Sequence, residues 1–197
     1  MVTTHTDSAI HQALREATRQ SHAQLDQHPI MAGLLSPTVD IQHYGNALAV
    51  LAAPLHLLET RLAEYLARHG LETTCPPRLP LLLQDLAGLG REAIETACAP
   101  PEPDSDSYRL GILYVLEGSH LGGAVIAKHL ARCLPDAPRQ YFFSSGNPLP
   151  RWQAFWRHAG GLNDCCNLPE IIAGAMDTFA FYAQHFNACH PDAHPNA

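Results

Sequence analysis

Residues in the first helical segment have the types and spacing of a metal-binding imidazole with a carboxylate partner. In LREATRQSHAQLDQH, Arg15, His22 and Asp26 are seven and four positions apart, so they share one helix face, which Arg19 flanks. A carboxylate four residues after a histidine can accept one ring N–H, which leaves the other nitrogen to bind iron. Guanidinium groups suit a ligand that carries carboxylates. A solvated, salt-bridged amphipathic helix would show the same pattern.

A second stretch, YVLEGSHLGGAVIAKHL, reads as a helix although it carries three glycines in its middle. Each glycine in a helix interior costs about 1 kcal/mol relative to alanine. At about 100° per residue, Gly111, Gly118 and Gly122 form one stripe, and Gly123 lies beside it. The pattern leaves two interpretations open, which are tight packing of a neighbouring helix and a ligand pocket with a floor of bare backbone.

Two side chains of this stretch point in different directions. On the same helical wheel His120 lies opposite the glycine stripe, which predicts a packing or surface role instead of metal ligation. Ser119 lies on the flank of the stripe, where its hydroxyl can face a pocket and organise water.

The two segments together describe a site for a flat ligand that contains iron. One segment supplies an imidazole flanked by cations, and the other supplies a floor without a competing ligand, which leaves space for a small gas above the metal. Heme, a flat dianionic macrocycle, satisfies both conditions.

With these residues the chain resembles the heme oxygenase family, especially the bacterial form that supplies biliverdin to bacteriophytochromes. The resemblance runs from Leu14 to about His185. LREATRQSHAQLD resembles the proximal helix, and YVLEGSHLGGAVIAKHL resembles the kinked distal helix. The resemblance implies that His22 is the axial iron ligand and that Gly118 and Gly122 lie against the heme.

The resemblance also implies the remaining site residues and the reaction. Arg15 and Arg19 match basic positions before the proximal histidine, and Arg157 in YFFSSGNPLPRWQAFWRH matches a basic residue for a heme propionate. The implied reaction uses O2 and electrons to open heme, both substrate and cofactor, to biliverdin, Fe²⁺ and CO. Gly118, Ser119 and Gly122 would form the catalytic distal face. The chain departs from animal members at Ser119, where those proteins carry aspartate, and His120 stands where a small or apolar residue is expected.

Three other functions remain to be compared. A heme carrier or sensor would use His22 and the glycines without turning the heme over. Carboxylate-bridged di-iron oxidases need Glu-x-x-His pairs on facing helices, and the sequence has none. A thiamin-degrading enzyme needs a reactive cysteine in the pocket, for which Cys133 is the candidate, but the sequence shows no electropositive pocket that would activate its thiol.

The composition limits the partners and the compartment. A net charge of −7 over 197 residues disfavours nucleic acid, because phosphate binding needs clustered cations. We expect no membrane-spanning helix, and the N-terminal sequence has no secretory signal pattern, so the expected location is cytoplasmic. Six cysteines without regular spacing are expected to be reduced.

No nucleotide or flavin fingerprint is visible in the sequence, since G-x-G-x-x-G and G-x-x-x-x-G-K are absent. Electrons are therefore expected from a separate protein, such as ferredoxin or flavodoxin with its reductase. A bacteriophytochrome is a candidate acceptor of the biliverdin.

Helical periodicity without alternation predicts an all-α, single-domain helical bundle over residues 8–188, with flexible termini at 1–7 and 189–197. The aromatic residues Trp152, Phe155 and Trp156 are assigned to the core without a cofactor role. The first predicted helix runs from Asp7 or Ser8 to about Gln27, and the second runs from Ser36-Pro37 through a kink at Pro54 to Gly70. Shorter helices are predicted within 81–97. The helix that carries the glycines is predicted to run from a cap at Ser105, Asp106 or Ser107 to about Leu134, and two more helices are predicted over 151–158 and over 168–188.

Overall fold

The structure is a computed structural model that describes residues 6–144, 146–162 and 166–190, without the side chains of residues 6–9. Over these residues the chain is helical and forms no strand, which confirms the all-α class. Residues 6, 7 and 189 of the predicted flexible termini are helical, and residues 1–5 and 191–197 lie outside the described residues. The elements are α1 (Thr6–Gln27), α2 (Pro29–Ala32), a 3-10 turn (Gly33–Leu35), α3 (Ile41–Arg68), α4 (Leu79–Gly88), α5 (Asp106–Cys133), α6 (Gln140–Phe143), α7 (Leu149–Gly161) and α8 (Leu168–Cys189).

Helix α5, which carries the glycines, is the central helix of the bundle. Ser105 caps it as predicted, because its hydroxyl accepts the N–H of Tyr108 at 3.1 Å. By length and composition α5 could cross a membrane, but most of its apolar stretch is buried inside the fold, as in the core helix of a globular protein. Its buried side chains include Leu110, Ile112 and Leu130.

The crossing of α5 with α8 depends on two glycines. A Cβ added at Gly111 would collide with the carbonyl oxygen of Ile171, and a Cβ added at Gly174 would collide with the carbonyl oxygen of Tyr108. The two backbones therefore approach each other at a distance that only glycine allows. For Gly111, the structure selects the tight helix-packing interpretation of the glycine stripe.

Helix α1 also packs on α8. Leu14 and Thr18 are buried, and the Thr18 hydroxyl donates to the carbonyl of Leu14 at 2.7 Å. The hydroxyl of Ser21 lies 3.8 Å from the sulfur of Met176 on α8. Because α1 and α5 both pack against α8, that helix fixes the two candidate ligand-binding helices in one frame.

The predicted start of the second long helix is wrong. Helix α3 begins after Asp40, whose carboxylate accepts the N–H of His43 at 2.7 Å, and not at Ser36. The Ser36 hydroxyl is held instead in a local turn, where it accepts the N–H of Thr38 at 3.2 Å. From Asp40 the helix continues without interruption through Pro54.

The region 81–97 contains the end of one helix, α4, and no second one. Gly90 has a φ of 63°, and the N–H of Arg91 donates back to the carbonyl of Leu86 at 3.0 Å. This left-handed glycine closes α4, as is common at helix C-termini. Helix α7 is longer than the predicted 151–158 and covers Leu149–Gly161.

Candidate functional site

The proximal candidate is the His22–Asp26 pair on α1. The Nδ1 of His22 lies 2.9 Å from Oδ2 of Asp26, and the two side chains are 61% and 64% exposed. The ring also contacts the edge of Phe179 on α8, with centroids 5.8 Å apart. Among the described residues, Nε2 has no hydrogen-bond partner. A histidine held in this way presents one nitrogen of fixed tautomer to a ligand.

The three arginines of the predicted site extend from two helices that meet. Arg15 and Arg157 are exposed, on α1 and α7. The Nη2 of Arg19 lies 3.1 Å from Oε1 of Glu16, and both side chains are more than 70% exposed. An ion pair so exposed contributes little free energy, so a ligand carboxylate can replace Glu16 at small cost.

The contact between α1 and α7 is an aromatic cluster. The His11 ring lies 4.5 Å from the Trp156 ring, centroid to centroid, and burial together with the positive charge of Arg15 lowers the pKa of His11. Trp156 precedes Arg157 in the chain. Arg15 and Arg157 therefore flank the same helix contact.

The glycine stripe of α5 divides into a packed part and an open part. A Cβ at Gly118 would lie 3.6 Å from Cζ3 of Trp152, and a Cβ at Gly123 would lie 3.5 Å from the ring of Phe142. A Cβ at Gly122 would meet no heavy atom of the described residues within 4 Å. The stripe therefore combines the two interpretations. Gly111 allows tight packing of a neighbouring helix, and Gly122 leaves the backbone bare and open, as a ligand pocket requires.

His120 is a core histidine, as the helical wheel predicts. Its side chain is 1% exposed, and burial, with the positive charges of Arg78 and Arg151, lowers its pKa to about 2. It stays neutral over the physiological range and faces away from the open glycine surface.

Sequence analysis missed Arg78, a buried cation beside the distal helix. Its Nη2 donates to Oγ of Ser119 at 2.8 Å and to the carbonyl of Leu116 at 3.2 Å. The Ser119 hydroxyl itself donates to Leu116 at 2.7 Å. Arg78 lies in the loop CPPRLP, where no helical periodicity relates it to α5, so the sequence carries no signal of this contact.

The three aromatic residues of α7 that were assigned to the core all pack in or against it, but they differ in burial. Phe155 is 1% exposed, but Trp152 and Trp156 are only partly buried. Trp152 borders the glycine stripe at Gly118, and the indole Nε1 of Trp156 is buried without a hydrogen-bond partner among the described residues. These two indoles extend the candidate site onto α7.

A separate cavity of about 210 Å³ lies behind α5. Its walls include Cys75, Arg78, Leu113, Leu116, Glu117 and Arg151, so Arg78 borders this cavity as well as Ser119, whereas neither His22 nor Gly122 belongs to the walls. On the helical wheel Leu113 and Leu116 face away from the stripe of Gly118 and Gly122. This cavity is therefore distinct from the candidate site.

The residues of the candidate site fit a flat ligand that contains iron. Among the residues that the structure describes, Nε2 of His22 makes no hydrogen bond, and the backbone at Gly122 is open where a side chain would otherwise stand. Exposed arginines on α1 and α7 supply the cations that carboxylates require. In the described residues, no cluster of three or more histidine, cysteine or acidic side chains could hold a metal ion without such a ligand.

Comparison with known proteins identifies the relatives of this chain. The sequence model of the family described as heme oxygenase matches residues 8–188. A heme oxygenase from Xanthomonas campestris pv. campestris (strain 8004) is 37% identical over 117 residues, and the match covers 57% of this chain and 66% of that protein.

Two solved structures have the same fold. The NO- and CO-bound heme oxygenase from Neisseria meningitidis superimposes with a TM-score of 0.73, at 25% identity over 91% of each chain. A heme oxygenase from the cyanobacterium Synechocystis, solved in complex with heme, gives a TM-score of 0.66 at 16% identity over 93% of each chain.

Proposed function

This chain belongs to the heme oxygenase family, and from that membership we propose that it opens heme oxidatively to biliverdin, Fe²⁺ and CO. The observation that carries the proposal is the open backbone of α5 at Gly122, next to the packed position Gly118. A helix that only packed in the core would gain stability from alanine at an open position. The glycine there is explained by a ligand that lies directly on the backbone.

His22 would hold the iron through Nε2, and Asp26 would keep the imidazole in the required tautomer by accepting the Nδ1–H. Bound heme supplies both the iron that activates O2 and the meso carbon that is oxidised. As an imidazole instead of a thiolate, His22 would donate less electron density to a bound iron.

Arg15, Arg19 and Arg157 would bind the propionate carboxylates. Guanidinium groups form two parallel hydrogen bonds with a carboxylate, so they orient a ligand as well as attract it. Because these arginines come from α1 and α7, together they would set the rotation of the ring in its plane and the meso carbon that is opened.

Ser119 is the candidate residue for anchoring water on the distal side, where animal members carry aspartate. Its hydroxyl proton is directed to Leu116, and one lone pair accepts from Arg78. The remaining lone pair can accept from a water molecule. Because Arg78 can only donate hydrogen bonds, its contact fixes the orientation of this hydroxyl.

The partners and the compartment are part of the proposal. We expect electrons from an external donor, ferredoxin or flavodoxin with its reductase, because no nucleotide-binding fingerprint occurs in the sequence. A cytoplasmic location and a bacteriophytochrome as the acceptor of biliverdin complete the expected setting.

Turnover tests this proposal and separates an enzyme from a heme carrier or sensor. The purified protein is mixed with hemin, and ferredoxin, its reductase and NADPH are added under air. An enzyme loses the Soret band while biliverdin absorbance grows in the red, and His22→Ala impairs both changes. A Soret band that persists under these conditions would identify a carrier or sensor instead.

A further inference from the structure

Helix α7 is joined to the middle of α5 by a buried ion pair. The Nε of Arg151 donates to Oε2 of Glu117 at 3.0 Å, and its Nη2 donates to Oε1 at 2.7 Å. The Glu117 side chain is 3% exposed and that of Arg151 is 19% exposed. A two-point contact of this kind fixes orientation as well as distance. A buried ion pair is weak evidence of added stability, and its best-attested role is to set the register of packed elements.

The next residue on each helix makes a second contact. Gly118 follows Glu117, Trp152 follows Arg151, and the indole lies 3.6 Å from the position of a Gly118 Cβ. The ion pair therefore holds α7 in the register that brings the indole over Gly118. One turn further along α5, the backbone at Gly122 is open. Trp152 thus stands at the boundary between the covered and the open part of the stripe.

The indole of Trp152 is supported on several sides. It stacks on Phe155 with centroids 5.4 Å apart and an interplanar angle of 12°, and it meets Trp156 edge-on at 5.3 Å. Tyr114 of α5 lies 5.6 Å away, centroid to centroid. Because Phe155 beneath it is fully buried, the indole cannot move toward the core to admit a ligand.

We propose that Trp152, positioned by the Glu117–Arg151 ion pair, is the wall that limits how far a macrocycle extends along α5 and thereby selects the meso carbon that is opened. The proposal rests on the proposed function, since it assigns the seat of the heme on that same face. A flat ligand on the backbone at Gly122 must end where the indole begins. Trp152 is a specificity-determining residue in this account, and Glu117 and Arg151 are positioning residues that act through it.

The first experiment compares wild type with Trp152→Ala. The products of turnover are separated by chromatography to give the ratio of biliverdin isomers. The cyanide-bound ferric hemin complex is examined in parallel by proton NMR, where the heme methyl shifts report the seating of the ring without turnover. The account predicts a minor isomer increased at least about fivefold, together with a changed methyl pattern. An unchanged isomer ratio and methyl pattern would overturn it.

The positioning role is tested by Glu117→Gln, Arg151→Met and the double variant. Either single change leaves a buried group without its partner and lowers stability, whereas the double change removes both and restores much of it. The account predicts that the isomer ratio and methyl pattern remain altered in the double variant. If the double variant regained the wild-type isomer ratio and methyl pattern together with its stability, the Glu117–Arg151 ion pair would have a purely structural role. Arg68→Met, which removes a more exposed ion pair with Asp106 at the start of α5, is the control.

The role of Trp152 and the proposed enzyme activity can be tested separately. Wild type that binds hemin without forming biliverdin, with a methyl pattern that changes in Trp152→Ala, refutes the proposed function and supports the wall. If Trp152→Ala fails to bind hemin, Trp152→Leu retains part of the apolar surface and is judged by the same methyl pattern. A wild-type pattern in Trp152→Leu would then overturn the proposal.

Discussion

Gly111 of α5 lies against the backbone of Ile171 on α8, Gly174 of α8 lies against the backbone of Tyr108 on α5, and neither position has room for a side chain. About three turns further along α5, Gly122 has open space at the same side of the helix. The glycines of one helix therefore serve two separate purposes. Gly111 permits the close crossing of α5 with α8, and Gly122 keeps a surface bare.

Gly111→Ala should destabilise the fold. Its methyl group would meet the backbone carbonyl of Ile171, which cannot rotate away as a side chain would. We expect the free energy of unfolding to fall by about 3 kcal/mol, as for severe overpacking of a core. Urea denaturation followed by circular dichroism measures this, and a midpoint equal to that of wild type would contradict the close crossing.

Gly122→Ala should have the opposite effect on stability and a negative effect on binding. Alanine in an open helical position stabilises by roughly 0.5–1 kcal/mol. The same methyl group would stand on the surface where the ligand lies, so we expect hemin affinity to fall about tenfold. Denaturation and Soret titration of the same preparation measure both effects. A stabilised protein with unchanged affinity would remove Gly122 from the binding site.

Asp26→Asn should weaken hemin binding without changing the fold. The carboxylate accepts the Nδ1–H of His22, and loss of such a partner typically reduces metal affinity 10–100-fold. We expect hemin affinity to fall about tenfold in the Soret titration, at the lower end of this range, because the pair is exposed to solvent. Asp136→Asn, an exposed carboxylate after α5, is the control. Equal affinities of the two variants would indicate that Asp26 does not support the ligand.

Stability should decrease as the pH falls below about 6.5, in part because of His120. Burial lowers the pKa of this histidine to about 2 in the folded protein, whereas the unfolded chain has the ordinary value of 6.5. Between these two values the unfolded state binds one proton more than the folded state. The free energy of unfolding from this group therefore decreases by about 1.4 kcal/mol for each unit of falling pH.

His120→Gln checks this origin, because glutamine keeps hydrogen-bonding capacity and does not titrate. Urea denaturation between pH 6.5 and 5 measures the slope of the free energy of unfolding against pH. In this variant the slope should be smaller by the contribution of about one proton, which is about 1.4 kcal/mol for each pH unit. The pKa values of His11, His28, His158 and His185 are also lowered by burial, so part of the dependence should remain. A slope identical to that of wild type would contradict the assignment to His120.

Local spacing predicted the parts of the site that lie on one helix. The His22–Asp26 contact follows from an i, i+4 relation, and the orientation of His120 follows from a helical wheel. The alternative interpretations of the glycine stripe could not be separated in this way, because the neighbour of each glycine belongs to another helix. Only the packing of α7 and α8 on α5 distinguishes Gly111 from Gly122.

Contacts between distant parts of the chain were not predictable from the sequence. Arg78 reaches Ser119 across 41 residues, and Glu117 reaches Arg151 across 34 residues. Both contacts depend on how loops and helices pack, and no local period reports them. The prediction of the start of α3 was wrong for a different reason. Ser36 and Asp40 are both good capping residues, and only the turn at Thr38 decides between them.

The position of iron in a hemin complex shows whether His22 is the metal ligand. An anomalous difference map, recorded from a crystal of the complex at the iron absorption edge, locates the metal independently of any model of the ring. We predict iron bonded to Nε2 of His22, with the open face of the macrocycle against the backbone at Gly122 and its edge at the indole of Trp152. Iron bonded to another histidine such as His11, or iron in the cavity behind α5, would contradict it.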